Sequence, residues 1–340
     1  MLMKILHVTS DNKPGGIQKA FKSYVAALVP LSEFENFYFT PNYFHTNNDG
    51  NNANHIKLSW LQKTLIRRNL LFSVNNFYNQ LFNISFVHNG FMCRSIKKYS
   101  DNVIGICHND KPEQFDYADD LICLTPNAVQ KAKEIGRCEN SIHLLSHYFE
   151  PQKKIAHSAK IGQKLTIGAA GRFVEKKGFK TFIDAAARVR KEFPEVEFIL
   201  AGDGPLSKSL LAFSKSKGNP VRFTGWIDIT EFAPSLDIFC LPSLDEPFGY
   251  ILPEIMQYGV AIVATRTNGP LWICQSIEDA LFFEPSNSDE MVDRLKILIQ
   301  NPKERNKYQQ KAKQAVRDER FSKKVFTENL LNIIKLVNKI

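Results

Sequence analysis

The chain alternates short apolar runs with longer stretches in which apolar residues recur every three or four positions. Residues 4–9 form the first apolar run, which ends in polar, glycine-bearing sequence. From 17 to 29 the spacing becomes helical, with Ile17, Phe21, Tyr24, Val25 and Leu28 on one face. Strand, glycine turn and helix in that order open a doubly wound unit. Further strand-like runs stand at 36–39, 84–88, 103–108, 120–125 and 141–145. Residues 127–136 read as a helix stopped by Gly136. Residues 149–164 are polar, contain Pro151 and Gly162, and make the expected linker. The pattern then restarts, with strands expected at 165–170, 196–200, 237–241, 261–265 and 280–283. Helices are expected at 181–193, 291–299, 301–318 and 326–340. Two halves of similar size, each alternating strand and helix, predict an α/β chain with two doubly wound parallel-sheet domains. Their expected bounds are 1–155 and 156–322, followed by a terminal helix at 323–340.

Composition fits this picture without adding a class. A chain of 340 residues, 44% hydrophobic and 23% charged, can bury two cores. It holds no run of roughly 18 apolar residues, and its N-terminus reads as a first strand, not a signal peptide. Six cysteines without a C-x-x-C pair are expected as buried free thiols in a reducing cytoplasm. The net charge of +9 is uneven. Residues 51–100 lack Asp and Glu but carry Lys57, Lys63, Arg67, Arg68, Arg94, Lys97 and Lys98, with an aromatic-aliphatic set around Trp60. That stretch fits either an interfacial helix on an anionic membrane or a helix packed on the first sheet. Nucleic acid is not an expected partner, since nothing in the motif order calls for a basic face interleaved with aromatics.

Candidate chemistry concentrates in the second half. Glu246 and Glu254 stand eight positions apart around the turn Pro247-Phe248-Gly249, which should open a helix. A helix N-terminus offers free N–H groups and suits an anion such as a diphosphate. Carboxylates beside it are placed to accept hydrogen bonds from hydroxyls, so the pair suits a nucleotide sugar. Arg172 and Lys177 flank a strand-to-helix turn between Gly171 and Gly178. Two fixed cations there would stabilise charge on a departing diphosphate. In the first half, Gly15-Gly16 follows the first strand and lets a phosphate approach closely. The pair is neither G-x-G-x-x-G nor a Walker A loop. His108 and His88 each end a strand, and Asp110 and Asp11 are weaker candidates for acceptor contacts. Asp119-Asp120 reads as surface or cap structure, and no cluster has zinc spacing.

The Glu246-x7-Glu254 run resembles that of retaining, family-4-type (group 1) glycosyltransferases of the GT-B fold. So do Gly171-Arg172-Phe173-Val174-Glu175-Lys176-Lys177-Gly178, Ala201-Gly202-Asp203-Gly204-Pro205-Leu206, Phe223-Thr224-Gly225-Trp226 and, near the start, Pro14-Gly15-Gly16-Ile17-Gln18. The resemblance implies two Rossmann-like domains facing across a cleft, the first binding the acceptor and the second a nucleoside-diphosphate sugar. It implies a catalytic set of Arg172, Lys177, Glu246 and His108, with His88 the alternative to His108. Donor contacts would come from Gly15, Gly16, Arg172, Lys177, Glu246, the amides of Phe248, Gly249 and Tyr250, and Glu254 on the ribose. Trp226 would line the base pocket or pack in the core. No metal and no cofactor are expected. The implied reaction moves a sugar, with retention, to a hydroxyl of a glycan or lipid-linked acceptor in polysaccharide, lipopolysaccharide or glycolipid synthesis. The implied place is the cytoplasm or the inner face of its membrane. The terminal helix would brace the first domain. A non-catalytic nucleotide-sugar binder or a nucleotide-sugar epimerase on the same fold stays as the alternative.

Overall fold

A computed structural model describes residues 2–11, 15–40, 53–55, 81–152, 164–275 and 279–338. The chain divides into two compact units, Met1–Tyr148 with Glu319–Ile340, and Phe149–Asp318.

The first unit carries a seven-stranded, all-parallel sheet. Its strands are β1 (Met3–Val8), β2 (Phe34–Phe39), β3 (Ala53–His55), β4 (Phe82–Val87), β5 (Ser100–Cys107), β6 (Asp120–Cys123) and β7 (Ile142–Leu144), in the order β3-β2-β1-β4-β5-β6-β7. Phe82, Ile84, Phe86, Leu121 and Ile122 have no exposed surface. That fits strands of a parallel sheet covered on both faces, which read as apolar runs and not as alternation. The helix Gly16–Leu28 buries Phe21, Tyr24, Val25 and Leu28, the face that its periodicity marks. The helix Lys323–Val337 buries Phe326, Leu330, Ile333 and Ile334. The Phe326 ring meets Tyr24 edge-on at 5.1 Å.

The second unit has six parallel strands, β8 (Thr166–Ala170), β9 (Glu197–Ala201), β10 (Arg222–Gly225), β11 (Ile238–Leu241), β12 (Ala261–Thr265) and β13 (Leu281–Phe283). They run in the order β10-β9-β8-β11-β12-β13. The helix Phe179–Glu192 packs Phe182, Ile183, Ala186 and Val189 into a core shared with Phe198, Leu200, Ile238, Val263, Met291 and Leu295. In both sheets the strand order reverses beside the first strand, between β1 and β4 and between β8 and β11. Crevices at the carboxyl ends of strands at such a reversal are where doubly wound sheets bind ligands.

Several expectations are corrected. The short edge strand β3 and the helix Ser207–Ser216 have no counterpart in the apolar pattern. That helix buries only Leu210 and Ser214, too sparse a stripe to read. Cys138 is exposed while the other five cysteines are buried. Asp120 is no surface residue: it is buried in β6, where His143 Nε2 meets it at 2.7 Å and Asn102 donates to it at 3.2 Å. Lys57, Lys63, Arg67, Arg68 and the set around Trp60 lie outside the described residues, as does most of the expected linker. Among the described residues no helix is long and apolar enough to cross a membrane.

Candidate functional site

The second unit brings its expected residues to the strand-order reversal. Arg172 follows β8 directly, and Ser243 and Glu246 follow β11. These two strands are neighbours in the sheet, so their loops meet although the residues lie far apart in sequence. The loops are stitched together by Leu244 N–H donating to Lys176 O at 2.8 Å. Gly178 permits this approach. Its φ is 62°, and a Cβ there would lie 2.0 Å from the Pro242 carbonyl oxygen. The result is an ion pair between the Lys177 ammonium and the Glu246 carboxylate. The same carboxylate oxygen accepts from the Ser243 hydroxyl at 3.0 Å. Ser243 is fully buried, and its carbonyl accepts from the Thr265 hydroxyl at 2.7 Å.

Lys177 therefore does not stand as a lone phosphate clamp, nor Glu246 as a lone acceptor for sugar hydroxyls. Each is the other's counter-ion, and an incoming anion would have to share or displace the carboxylate. Arg172 is different. Its side chain is exposed and makes no ion pair among the described residues, so it is the available bidentate donor. The turn after Glu246 leads into the helix Ile251–Met256. Phe248 is buried and stacks edge-on with Tyr250, while Gly249, at φ 87°, makes no backbone hydrogen bond through its N–H among the described residues. Glu254 is half-buried in the first turn of that helix. Ser243 escaped the sequence reading, although it sits three positions before Glu246. Ser243→Ala is expected to lower kcat/KM for the donor several-fold, the size of one hydrogen bond to a charged group. The check is donor kinetics beside a melting curve, and unchanged kinetics would remove Ser243 from the site.

In the first unit, Gly15 caps the helix Gly16–Leu28 in extended backbone, and a side chain there would meet nothing. His88 and His108, the two alternatives from sequence, stand together. His88 Nδ1 and His108 Nε2 are 2.9 Å apart and the rings stack at 5.1 Å. His147, which sequence reading missed, also stacks with His108, at 5.4 Å. Tyr24 meets His88 and His147 edge-on, and His7 stacks on Phe86. Burial pushes His7 down to about 4, His108 to about 3, and His88 and His147 well below the ordinary histidine value. These imidazoles are therefore neutral near pH 7. Three of the four follow parallel strands β4, β5 and β7, a signal that the sequence does carry. Asp110 is buried at φ 52° beside them in sequence. Trp226 is not core: it is 67% exposed after β10. Among the described residues no group of acidic, histidine and cysteine side chains has the makings of a metal site.

Residues 151–315 match the family model for glycosyl transferases group 1. The lipopolysaccharide core biosynthesis glycosyltransferases LpsE and LpsD of Rhizobium meliloti are 27% and 28% identical over 235 and 234 residues. Those matches cover 66% of this chain, and 67% and 66% of the relatives, so the chain spans about two thirds of their length. Among solved structures, Anabaena HepE in complex with UDP and glucose superposes with a TM-score of 0.76 over 98% of this chain and 99% of that one, at 15% identity. That likeness carries the fold. The chain thus has the fold of GT-B glycosyltransferases, and its second unit, which carries Arg172, Lys177, Ser243 and Glu246 at the junction of β8 and β11, is similar to group 1 glycosyl transferases over residues 151–315.

Proposed function

We propose that the chain is a retaining, family-4-type glycosyltransferase that moves a sugar from a nucleoside diphosphate to a hydroxyl of a glycan or lipid-linked acceptor. The observation that carries this reading is the Lys177–Glu246 pair at the strand-order reversal, with Arg172 exposed beside it in sequence. A diphosphate seated there meets Arg172 and Lys177 as its glycosyl bond breaks, so both cations act most strongly when charge develops on the leaving group. Glu246, released from part of its bond to Lys177, turns a carboxylate oxygen toward the sugar hydroxyls. Glu254 serves the ribose. The departing phosphate itself takes the acceptor proton, so no protein base is required, and no divalent ion is needed while two cations stand in its place. The LpsE and LpsD relatives point to a surface polysaccharide such as a lipopolysaccharide core as the product.

A panel of UDP-, GDP-, ADP- and dTDP-sugars, followed by thermal shift and slow donor hydrolysis with and without EDTA, tests the reading. A stabilising donor whose hydrolysis survives chelation is expected, with retention seen in the product's anomeric NMR signal. Tight binding with no turnover of any donor would favour the non-catalytic binder, and loss of turnover in EDTA restored by magnesium would refute the metal-free mechanism.

Contact with an anionic membrane is a further part of this reading. Arg94 lies over the Tyr117 ring and Lys97 pairs with Asp119, so the burden falls on the exposed Lys98 and on Lys57, Lys63, Arg67 and Arg68. Sedimentation with anionic vesicles at low salt, lost as salt rises, is expected. A wild-type chain that ignores such vesicles rules it out.

A further inference from the structure

The chain passes from the first unit to the second between Tyr148 and Phe149. Just past that crossing, Gln152 is tied to the end of the helix that carries Glu254. Its N–H donates to Gln257 Oε1 at 2.9 Å, and its own Oε1 accepts from the Tyr258 hydroxyl at 3.1 Å. Gln257 and Tyr258 close the helix Ile251–Met256, and Gly259, at φ 69°, turns the chain away from it.

The Gln257 side chain is 5% exposed and uses both halves of its amide. Its oxygen accepts from Gln152, and its Nε2 donates to the Glu254 carbonyl oxygen at 3.0 Å. That carbonyl belongs to the last turn of the helix, where the backbone supplies no intrahelical donor. The amide is planar, so its oxygen and nitrogen cannot move independently. A shift of Gln152 swings Nε2 away from Glu254, and a shift of the Glu254 backbone swings the oxygen away from Gln152. Breaking one bond leaves a buried polar group short of a partner, which is costly, so the two bonds form and break together.

We propose that Gln257 is a positioning residue that couples the donor site to the crossing between the units. The proposal rests on the reading above, in which Glu254 serves the ribose. A nucleoside diphosphate held through Glu254 fixes the backbone at that residue, fixes the Gln257 amide with it, and so orders Gln152 and the crossing segment. Such coupling is reciprocal. The bound nucleotide slows opening of the Gln152 bond, and the closed bond tightens nucleotide binding by the same factor. A factor of about five lies at the low end of such couplings and within reach of one hydrogen bond. A plain helix cap would behave differently, because it would support Glu254 whatever became of Gln152 or Tyr258.

The test uses the full chain carrying isotope-labelled glutamine, with UDP, GDP, ADP and dTDP as probes. With a diphosphate that binds, hydrogen exchange at the Gln152 amide, followed by NMR, should slow about five-fold or more. Gln257→Leu can make neither bond and should bind that diphosphate more weakly by a similar factor. Tyr258→Phe removes only the hydroxyl on Gln152, from a half-buried ring that the donor reading does not use. It should weaken binding about two-fold or more, and it serves where Gln257→Leu fails to fold, as melting curves without nucleotide will show. Unchanged Gln152 exchange on binding, or wild-type affinity in Tyr258→Phe, overturns the proposal and leaves the donor reading standing. Binding of none of the four diphosphates overturns the donor reading and the proposal with it.

Discussion

Alanine at Arg172 or at Lys177 is expected to slow sugar transfer on the order of 100-fold or more at saturating donor. Both cations would meet a diphosphate whose charge grows as the glycosyl bond breaks, so their loss falls on turnover. Lys177→Ala has a second consequence. Among the described residues it leaves the Glu246 carboxylate, 7% exposed, with only the Ser243 hydroxyl as a partner. Removing one member of a buried pair costs more than the pair is worth, so this variant should also lose stability. Arg172 is exposed and makes no ion pair among the described residues, and Arg172→Ala should melt as the wild type does. Glu254→Ala should raise the donor KM with little change in kcat, because ribose contacts are the same before and during bond breaking. Steady-state kinetics at several donor concentrations separate these outcomes. Near-normal kcat in both cation variants would defeat the mechanism.

The first unit should lose stability steeply in mild acid. His7, His88, His108 and His147 are buried and neutral, with proton affinities depressed by burial. In the unfolded chain each takes a proton near pH 6.5. The unfolded state thus binds more protons as pH falls, so stability is fully present above about 6.5 and is lost as pH drops toward the folded values. For His7, depressed to about 4, the loss between those limits is about 3 kcal/mol. His108, depressed to about 3, and the buried His88 and His147 act with the same sign, so the first unit should lose stability as pH falls from 6.5 toward 4. Melting curves from pH 8 to 4.5, read by a probe in the first unit, check this. A flat melting temperature from pH 7 to 5 would contradict the buried stack, and His7→Phe should flatten the slope if the stack is correctly placed.

Much of the candidate site was legible in the sequence. Arg172, Glu246 and Glu254 sit on segments whose glycines and prolines mark them as turns at strand ends, and those marks are local. The partnership of Lys177 with Glu246 was not legible. It joins two loops that meet only because β8 and β11 are neighbours, and strand order is not written in the spacing of either segment. Ser243 was missed for the same reason, since its role exists only once the Glu246 side chain folds back on it. Trp226 could not be assigned because its exposure depends on what covers β10. The histidines show the division most clearly. His88 and His108 were visible singly and His147 was missed, yet the three become one stack only when β4, β5 and β7 lie in one sheet.

By itself the sequence determined the order and kind of most elements, the presence of two parallel-sheet units, and which residue types stand at strand ends. Those features follow from short apolar runs, from the 3.6-residue period of helices and from turn chemistry, which act over a handful of neighbours. Only the tertiary structure decided which strand ends adjoin, which charges neutralise one another, and which polar groups are sealed from water. Those depend on contacts between segments tens of residues apart, where sheet order and close backbone approach at Gly178 set the distances.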